Sequence, residues 1–304
     1  MADKFKVDIH ADDYGYSLNT SKDIIECVKN EALDSFSIMS NMPDFDKNME
    51  LLYKKVPSFS YLPLLSVHIN LVEGYGYDNS LLNRYSWGSY FLGSYSFRRN
   101  KLKEEIKKNI KYQIDKADIV INKCIQIAKN NNIPVKQKYL RLDSHVHTHL
   151  IPVVWDALTE VIKENSYQIE YIRNPKEPII PFIKSKVFGS CEFINKIKNR
   201  ILMLYSRKVD RYCDSHNLNK EYMCGLMCSG KMDYDRVSKV YPELCNKSQN
   251  DGRQLELLFH PGRALENEYN ESYIKDAYKT FNSSDNRRIE KEAVLKMKGN
   301  RNGY

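Results

Sequence analysis

Short apolar runs alternate with stretches of helical period along this chain. Residues 5–11 (FKVDIHA), 33–40, 64–72, 138–143, 168–173, 221–227 and 254–260 each predict a strand. Between and after them, helices are predicted over residues 17–32, 44–55, about 152–164 and about 283–298, with Ser17 or Asn19 as N-cap of the first. The clearest helix covers residues 101–130. There Leu102, Ile106, Ile110, Ile114, Ala117, Ile121, Ile125 and Ala128 recur every three or four positions, and Pro134 follows as a stop. Repeated β-then-α order predicts an α/β fold with a parallel sheet, and seven strands favour a (β/α) barrel over an open sheet.

Two segments break the rhythm. Residues 74–99 are rich in Gly, Ser and Tyr, and residues 175–250 mix prolines, a helical FINKIKNRILMLYSRKV stretch and five of the seven cysteines. With no internal repeat and no sharp change of composition, the expectation is one domain over residues 1–304. It would carry long loop insertions at about 75–100 and 176–250, of the kind that overlie the site-bearing face of a barrel.

Composition narrows the class. Hydrophobic residues make up 42% and charged residues 28%, which excludes wholesale disorder. No apolar stretch is long enough to span a membrane, and MADKFKVDIHADD offers no signal-peptide core. Seven scattered cysteines point to a reduced, cytoplasmic protein. The +8 charge is interleaved with apolar positions, unlike a nucleic-acid surface. The 22 tyrosines offer flat faces with polar tips, suited to partly polar ligands. Cys224 and Cys228 read as buried thiols rather than a second metal site. The Asn-x-Ser matches at Asn246, Asn270 and Asn282 carry no weight without a secretion signal.

The informative feature is where acids and histidines fall. Asp12 and Asp13 end the first strand, and His68, His145, His147, His149 and His260 sit at later strand ends, which converge on one face of a parallel barrel. Adjacent aspartates point apart, so one can bind a metal while the other serves as a base. An Asp and two His from different strands suit a divalent cation with open positions for water and substrate. If the strand continued through HVHTH, His145, His147 and His149 would share a face. If the chain leaves at Ser144, only the first need reach a metal. His260, before Pro261 and Gly262, is placed as a general acid or as a structural histidine.

Four stretches in order resemble the YdjC-like carbohydrate deacetylase family, which includes chitooligosaccharide deacetylases. They are His10-Ala-Asp-Asp-Tyr-Gly15, Val67-His-Ile-Asn-Leu-Val-Glu-Gly74, Leu142-Asp-Ser-His-Val-His-Thr-His149 and Phe259-His-Pro-Gly262. The resemblance implies a distorted, polysaccharide-deacetylase-like (β/α) barrel with a metal held by Asp13, His68 and His145. It implies Asp12 as base, His260 as acid and Arg173 as a strand-end arginine. The metal would be Mg²⁺, with Zn²⁺ also compatible with two imidazoles. A homodimer would follow family habit.

The expected reaction is hydrolysis of an N-acetyl group on a sugar or oligosaccharide, releasing acetate. Arg173, His147 and Tyr14 are expected at the substrate, with an oxyanion donor in the backbone near Tyr14 or Gly15 and tyrosines of residues 75–95 stacking on sugar faces. The rivals are another metal-dependent hydrolase (an amidohydrolase or phosphoesterase) and a non-catalytic carbohydrate-binding relative. Both of those hydrolase classes normally carry His-x-His on the first strand, whereas here that strand ends in Asp-Asp.

Overall fold

The computed structural model describes residues 5–268 and 272–298, so the Asn-x-Ser match at Asn270 lies outside the described residues. In strand β1 (Val7–Tyr14), Val7, Ile9 and Ala11 alternate with Asp8, His10 and Asp12. A strand sends successive side chains to opposite faces, so this strand has one apolar and one polar side. The pattern repeats in β2 (Ser35–Ile38), β3 (Leu64–Ile69) and β4 (Leu140–Ser144), where Ser35, Ser37, Ser66, His68, Arg141 and Asp143 share the polar face. Strands β5 (Ile169–Ile172), β6 (Glu221–Cys224) and β7 (Gln254–Phe259) complete a seven-stranded parallel sheet of order β5-β4-β3-β2-β1-β7-β6.

The apolar face is covered by helices. The described helices are α1 (Leu18–Lys29), α2 (Phe45–Lys55), α3 (Trp87–Gly93), α4 (Arg99–Asn130), α5 (Pro152–Glu164), α6 (Ile179–Lys184), α7 (Phe193–His216), α8 (Tyr234–Asn250), α9 (Asp276–Ser283), which lies at the strand ends instead, and α10 (Asn286–Met297). Ile9, Ala11, Phe36, Leu65, Val67, Leu142, Leu255 and Leu257 are buried in one continuous core with Ile110, Ile114, Leu158 and Val240 from these helices. Ser17 caps α1 by accepting from the Thr20 N–H, which settles the choice between the two candidate caps. No described helix is long and apolar enough to cross a membrane. All seven cysteines are free and buried.

The sheet is curled into a half-barrel. Four inter-strand steps separate β5 from β1, which in a flat sheet would be about 19 Å. Yet Arg173, just past β5, donates from Nη1 and Nη2 to Asp12 on β1 at 2.9 Å each, and Tyr171 on β5 donates to Glu256 on β7 at 2.5 Å. Only curvature brings these side chains together, and the small interior residues Ser35, Ser37 and Ser66 leave them room. The interior is therefore a layer of buried charge, unlike the apolar filling of the usual eight-stranded barrel.

Several boundaries differ from the predicted ones, each for a local reason. β1 continues through both aspartates to Tyr14 instead of stopping at residue 11. β3 stops at Ile69 because Asn70 Oδ1 accepts from the N–H groups of Val72 and Glu73, folding the chain over itself. β6 stops at Cys224, where the Gly225 N–H turns to Glu177 Oε1 at 2.8 Å. Residues 176–250, expected as an insertion, carry α6, α7, β6 and α8.

Candidate metal centre at the strand ends

Strict alternation would send Asp12 inward and Asp13 outward. Instead β1 slips in register against β2 between Ala11 and Tyr14, and Asp13 adopts φ of 70°. This bulge turns Asp13 to the interior and Tyr14 to the core, so adjacent aspartates serve one site. Tyr14 packs its ring on Phe36 and donates its hydroxyl to the Asn48 carbonyl at 2.8 Å.

Asp13 Oδ1 lies 3.2 Å from His145 Nδ1 and 3.3 Å from His68 Nε2, and one donor atom from each of the three residues falls within 4.8 Å of the others. All three residues are buried. Asp13 Oδ2, His68 Nε2 and His145 Nε2 nevertheless make no hydrogen bond. Buried polar atoms without partners are costly, and a cation among the three side chains would offset that cost. His68 Nδ1 donates to Asp143 Oδ1 at 2.6 Å, a carboxylate–imidazole contact that holds Nε2 toward Asp13. Glu73 brings a fourth buried donor, its Oε2 3.1 Å from His145 Nε2. Buried Asp13, His68 and His145 could thus hold a divalent metal. His10, Asp12 and Asp143 also converge, but the Arg173 guanidinium already supplies that position with positive charge.

Arg173 was expected to contact substrate. It is fully buried, bidentate on Asp12 and bonded to Glu256 at 2.7 Å, so it reaches any substrate only through Asp12. Ser37 Oγ also donates to Asp12 Oδ1, at 2.9 Å. Burial alone would raise the Asp12 carboxyl, but Arg173 and His68 outweigh it and hold it well below the usual carboxylate range. Burial opposes ionisation of Asp13 too, and His145 overcomes it in the same direction.

His260 stands at the mouth with its side chain 19% exposed, Nε2 3.9 Å from Asp12 Oδ2 and Nδ1 3.8 Å from Glu290. Its backbone N–H donates to Glu290 Oε2 at 2.7 Å, and its ring stands edge-on to Phe281. Gly262 follows at φ of 109°. A Cβ there would sit 2.8 Å from Thr20 Cα, so only glycine lets this loop lie against the start of α1.

The chain leaves β4 at Ser144, and Val146 and His147 take left-handed φ values of 46° and 55°. The three histidines of HVHTH therefore diverge. His149 is structural, with Nε2 on the Arg173 carbonyl at 2.9 Å and Nδ1 at the Ser144 hydroxyl. His147 lies in the field of Arg173, Asp12 and His260, and its buried Nδ1 has no hydrogen-bond partner. The backbone donor expected near Gly15 is taken, because that N–H donates to Ser21 Oγ at 3.0 Å. Three of the five tyrosines of residues 75–95 are directed elsewhere as well. Tyr85 stacks on Tyr90 and bonds Glu105, Tyr90 donates to the Leu71 carbonyl, and Tyr75 pairs with Tyr273. The tyrosine beside the cluster is Tyr278 of α9, edge-on to His145 at 5.3 Å. Sequence reasoning passed over it together with His10, Glu73, Asp143, Glu256 and Glu290. The period-2 polar positions in the strands were the signal for His10, Asp143 and Glu256. No local pattern marks Tyr278 or Glu290.

Burial disfavours charge on His68, yet Asp12 and Asp143 raise it to about 10, and Asp13 likewise raises His145 against burial to about 9. Both rings must lose a proton to ligate a metal. Cation uptake at pH 7 is therefore expected to release protons, with apparent affinity climbing until pH reaches about 9–10. In the cation-free protein the raised pKa values stabilise the fold fully below the ordinary value of 6.5, and that contribution is lost as pH rises through about 9 and 10. Titration calorimetry in buffers of different ionisation enthalpy reads the release directly. Uptake without proton release at pH 7 contradicts the assignment.

Fold and site together define a class: a curled (β/α) barrel with a polar interior, gathering buried carboxylates and imidazoles at its strand ends. The chain belongs to the YdjC-like protein family, whose model matches residues 6–298. It is 23% identical over 189 residues to a carbohydrate deacetylase of Danio rerio, covering 59% of this chain and 52% of that protein. The chain thus spans about half the length of the curated relative it matches. A solved structure from Enterococcus faecalis V583, described as a cellobiose-phosphate cleavage protein, superposes with a TM-score of 0.52 at 16% identity, covering 96% of this chain and 91% of that one. At that identity the likeness shows a common fold.

Proposed function

We propose that this chain removes the acetyl group from an N-acetylated sugar or oligosaccharide by metal-assisted amide hydrolysis. The observation that carries this reading is the placement of Asp12 and His260, 3.9 Å apart, directly beside the Asp13–His68–His145 cluster. The deacetylase relative supports the substrate class. Asp13, His68 and His145 would hold a divalent cation, which would supply Lewis acidity toward an amide carbonyl and acidify water. The donor set admits Zn²⁺ beside the Mg²⁺ expected from the resemblance. Seven free, buried thiols support a reducing compartment, the cytoplasm.

Asp12 is ionised but weakly basic, because Arg173 and Ser37 already donate to it; it accepts the proton of the attacking water at Oδ2, the oxygen turned toward His260. His260, partly exposed and aligned by Glu290, gives its proton to the departing amine. The products are acetate and a free amino sugar, and proton passage from Asp12 to His260 resets the pair. His147, whose buried Nδ1 has no hydrogen-bond partner and which lies in the field of Asp12 and His260, binds the sugar.

The test is acetate release from a panel of N-acetylated sugars after loading with Mg²⁺ or Zn²⁺, alongside phosphate and glucose release from cellobiose phosphate. Acetate from at least one sugar is expected. Phosphate release or glycosidic cleavage without acetate would overturn the reading.

A further inference from the structure

Helix α7 carries apolar residues on two sides. Its body-facing side buries Leu202, Val209 and Cys213 together with Asn195, Asn199 and Ser206, with Asn195 donating to the Ser229 carbonyl and Asn199 to the Glu177 carbonyl. The opposite side presents Phe193, Ile197, Ile201 and Leu204 to solvent, with Phe193 76% and Leu204 66% exposed. These positions recur at helical period and form one stripe. Tyr205 touches Phe91 of α3 and joins the stripe to Leu92 and Phe97, the latter 92% exposed. Soluble monomers rarely leave so large an apolar surface uncovered.

The charge around the stripe says what covers it. From residue 193 to residue 209 there are five basic residues and no acidic one. By helical period Arg200 and Arg207 border the stripe on one side and Lys198 on the other. All three are exposed, and none forms a salt bridge among the described residues. A two-fold contact between copies of this chain would set the patch against itself, bringing basic rim to basic rim. An anionic, apolar-cored surface complements both features at once.

We propose that the first half of α7, with the turn after α3, docks this protein on an anionic lipid bilayer. Both elements belong to connections that leave the strand ends, after β3 and after β5, so docking holds the mouth of the barrel at the membrane surface. Resting on the deacetylase reading, the substrate is then an N-acetylated sugar carried by a membrane lipid.

Co-sedimentation of the full chain tests this, using phosphatidylcholine vesicles with and without phosphatidylglycerol. The protein is expected to pellet with the anionic vesicles and to remain in solution with phosphatidylcholine alone. Arg200→Glu/Arg207→Glu is expected to weaken partition by at least about fivefold for each basic residue lost. Ile201→Asp/Leu204→Asp, at exposed positions, is expected to abolish it. Wild-type protein left in the supernatant with anionic vesicles overturns the proposal. So does a dimer by light scattering that Ile201→Asp/Leu204→Asp converts to monomer, since the stripe would then belong to a second copy. Acetate release from free sugars separates the two readings. If it persists without vesicle binding, only docking falls; if binding holds without acetate from free or lipid-linked sugars, only the deacetylase reading falls.

Discussion

Asp12→Asn is expected to lower turnover by about 10²–10⁴-fold, the usual scale for a positioned acid or base, while bound metal stays near one equivalent. The substitution keeps the shape of the side chain and removes its capacity to take a proton. Asp12 is not one of the three converging donors; its hydrogen bonds come from Arg173 and Ser37, with His10 at 3.1 Å, His68 at 3.8 Å and His260 at 3.9 Å. Metal content and rate should therefore separate. One amide N–H will face the Arg173 guanidinium, so a melting curve accompanies the assay to distinguish lost chemistry from lost packing. Full rate with an intact fold removes Asp12 from the mechanism.

The second large effect is expected at the cluster itself. His68→Ala and His145→Ala should each lose bound metal and take activity to background, because either change leaves two donors where three converge. His68→Ala also removes the hydrogen bond to Asp143 Oδ1, leaving Arg173 at 3.4 Å and His10 at 3.6 Å beside that carboxylate. That buried carboxylate loses a charge-assisted partner, so this variant should melt lower than His145→Ala. Metal analysis by mass spectrometry after gel filtration reads both. Stoichiometric metal in either variant contradicts the ligand assignment.

Much of the architecture was legible because burial leaves a period in the sequence. Short apolar runs marked the seven strands, and apolar residues every third or fourth marked the long helix over Arg99–Asn130. Alternation inside those runs holds the polar interior, with Asp8, His10 and Asp12 in step and Ser66 and His68 in step, and an apolar run alone does not reveal it. Asp13 was placed beside His68 and His145 through a resemblance of motifs, not through geometry. No pattern announces the slipped register and φ of 70° that turn it inward.

Arg173 shows the opposite limit. Its position at a strand end was visible, but its role depends on where β1 and β7 lie across the curl. In sequence it stands 161 residues from Asp12 and 83 from Glu256, and no local rule connects them. Tyr85 and Tyr90 show the same limit: residue type suggested sugar stacking, while Glu105 of α4 claimed the Tyr85 hydroxyl, the Leu71 carbonyl claimed that of Tyr90, and Tyr278 stands beside His145.

By itself, then, the sequence determined the β-then-α order, the outward apolar faces and the set of acids and histidines brought to the strand ends, since each follows from local periodicity and chain direction. Only the tertiary structure decided which of those groups meet. Sheet curvature, one bulge and two left-handed residues after β4 set the distances between side chains far apart in the chain, and electrostatic interaction depends on those distances rather than on sequence separation.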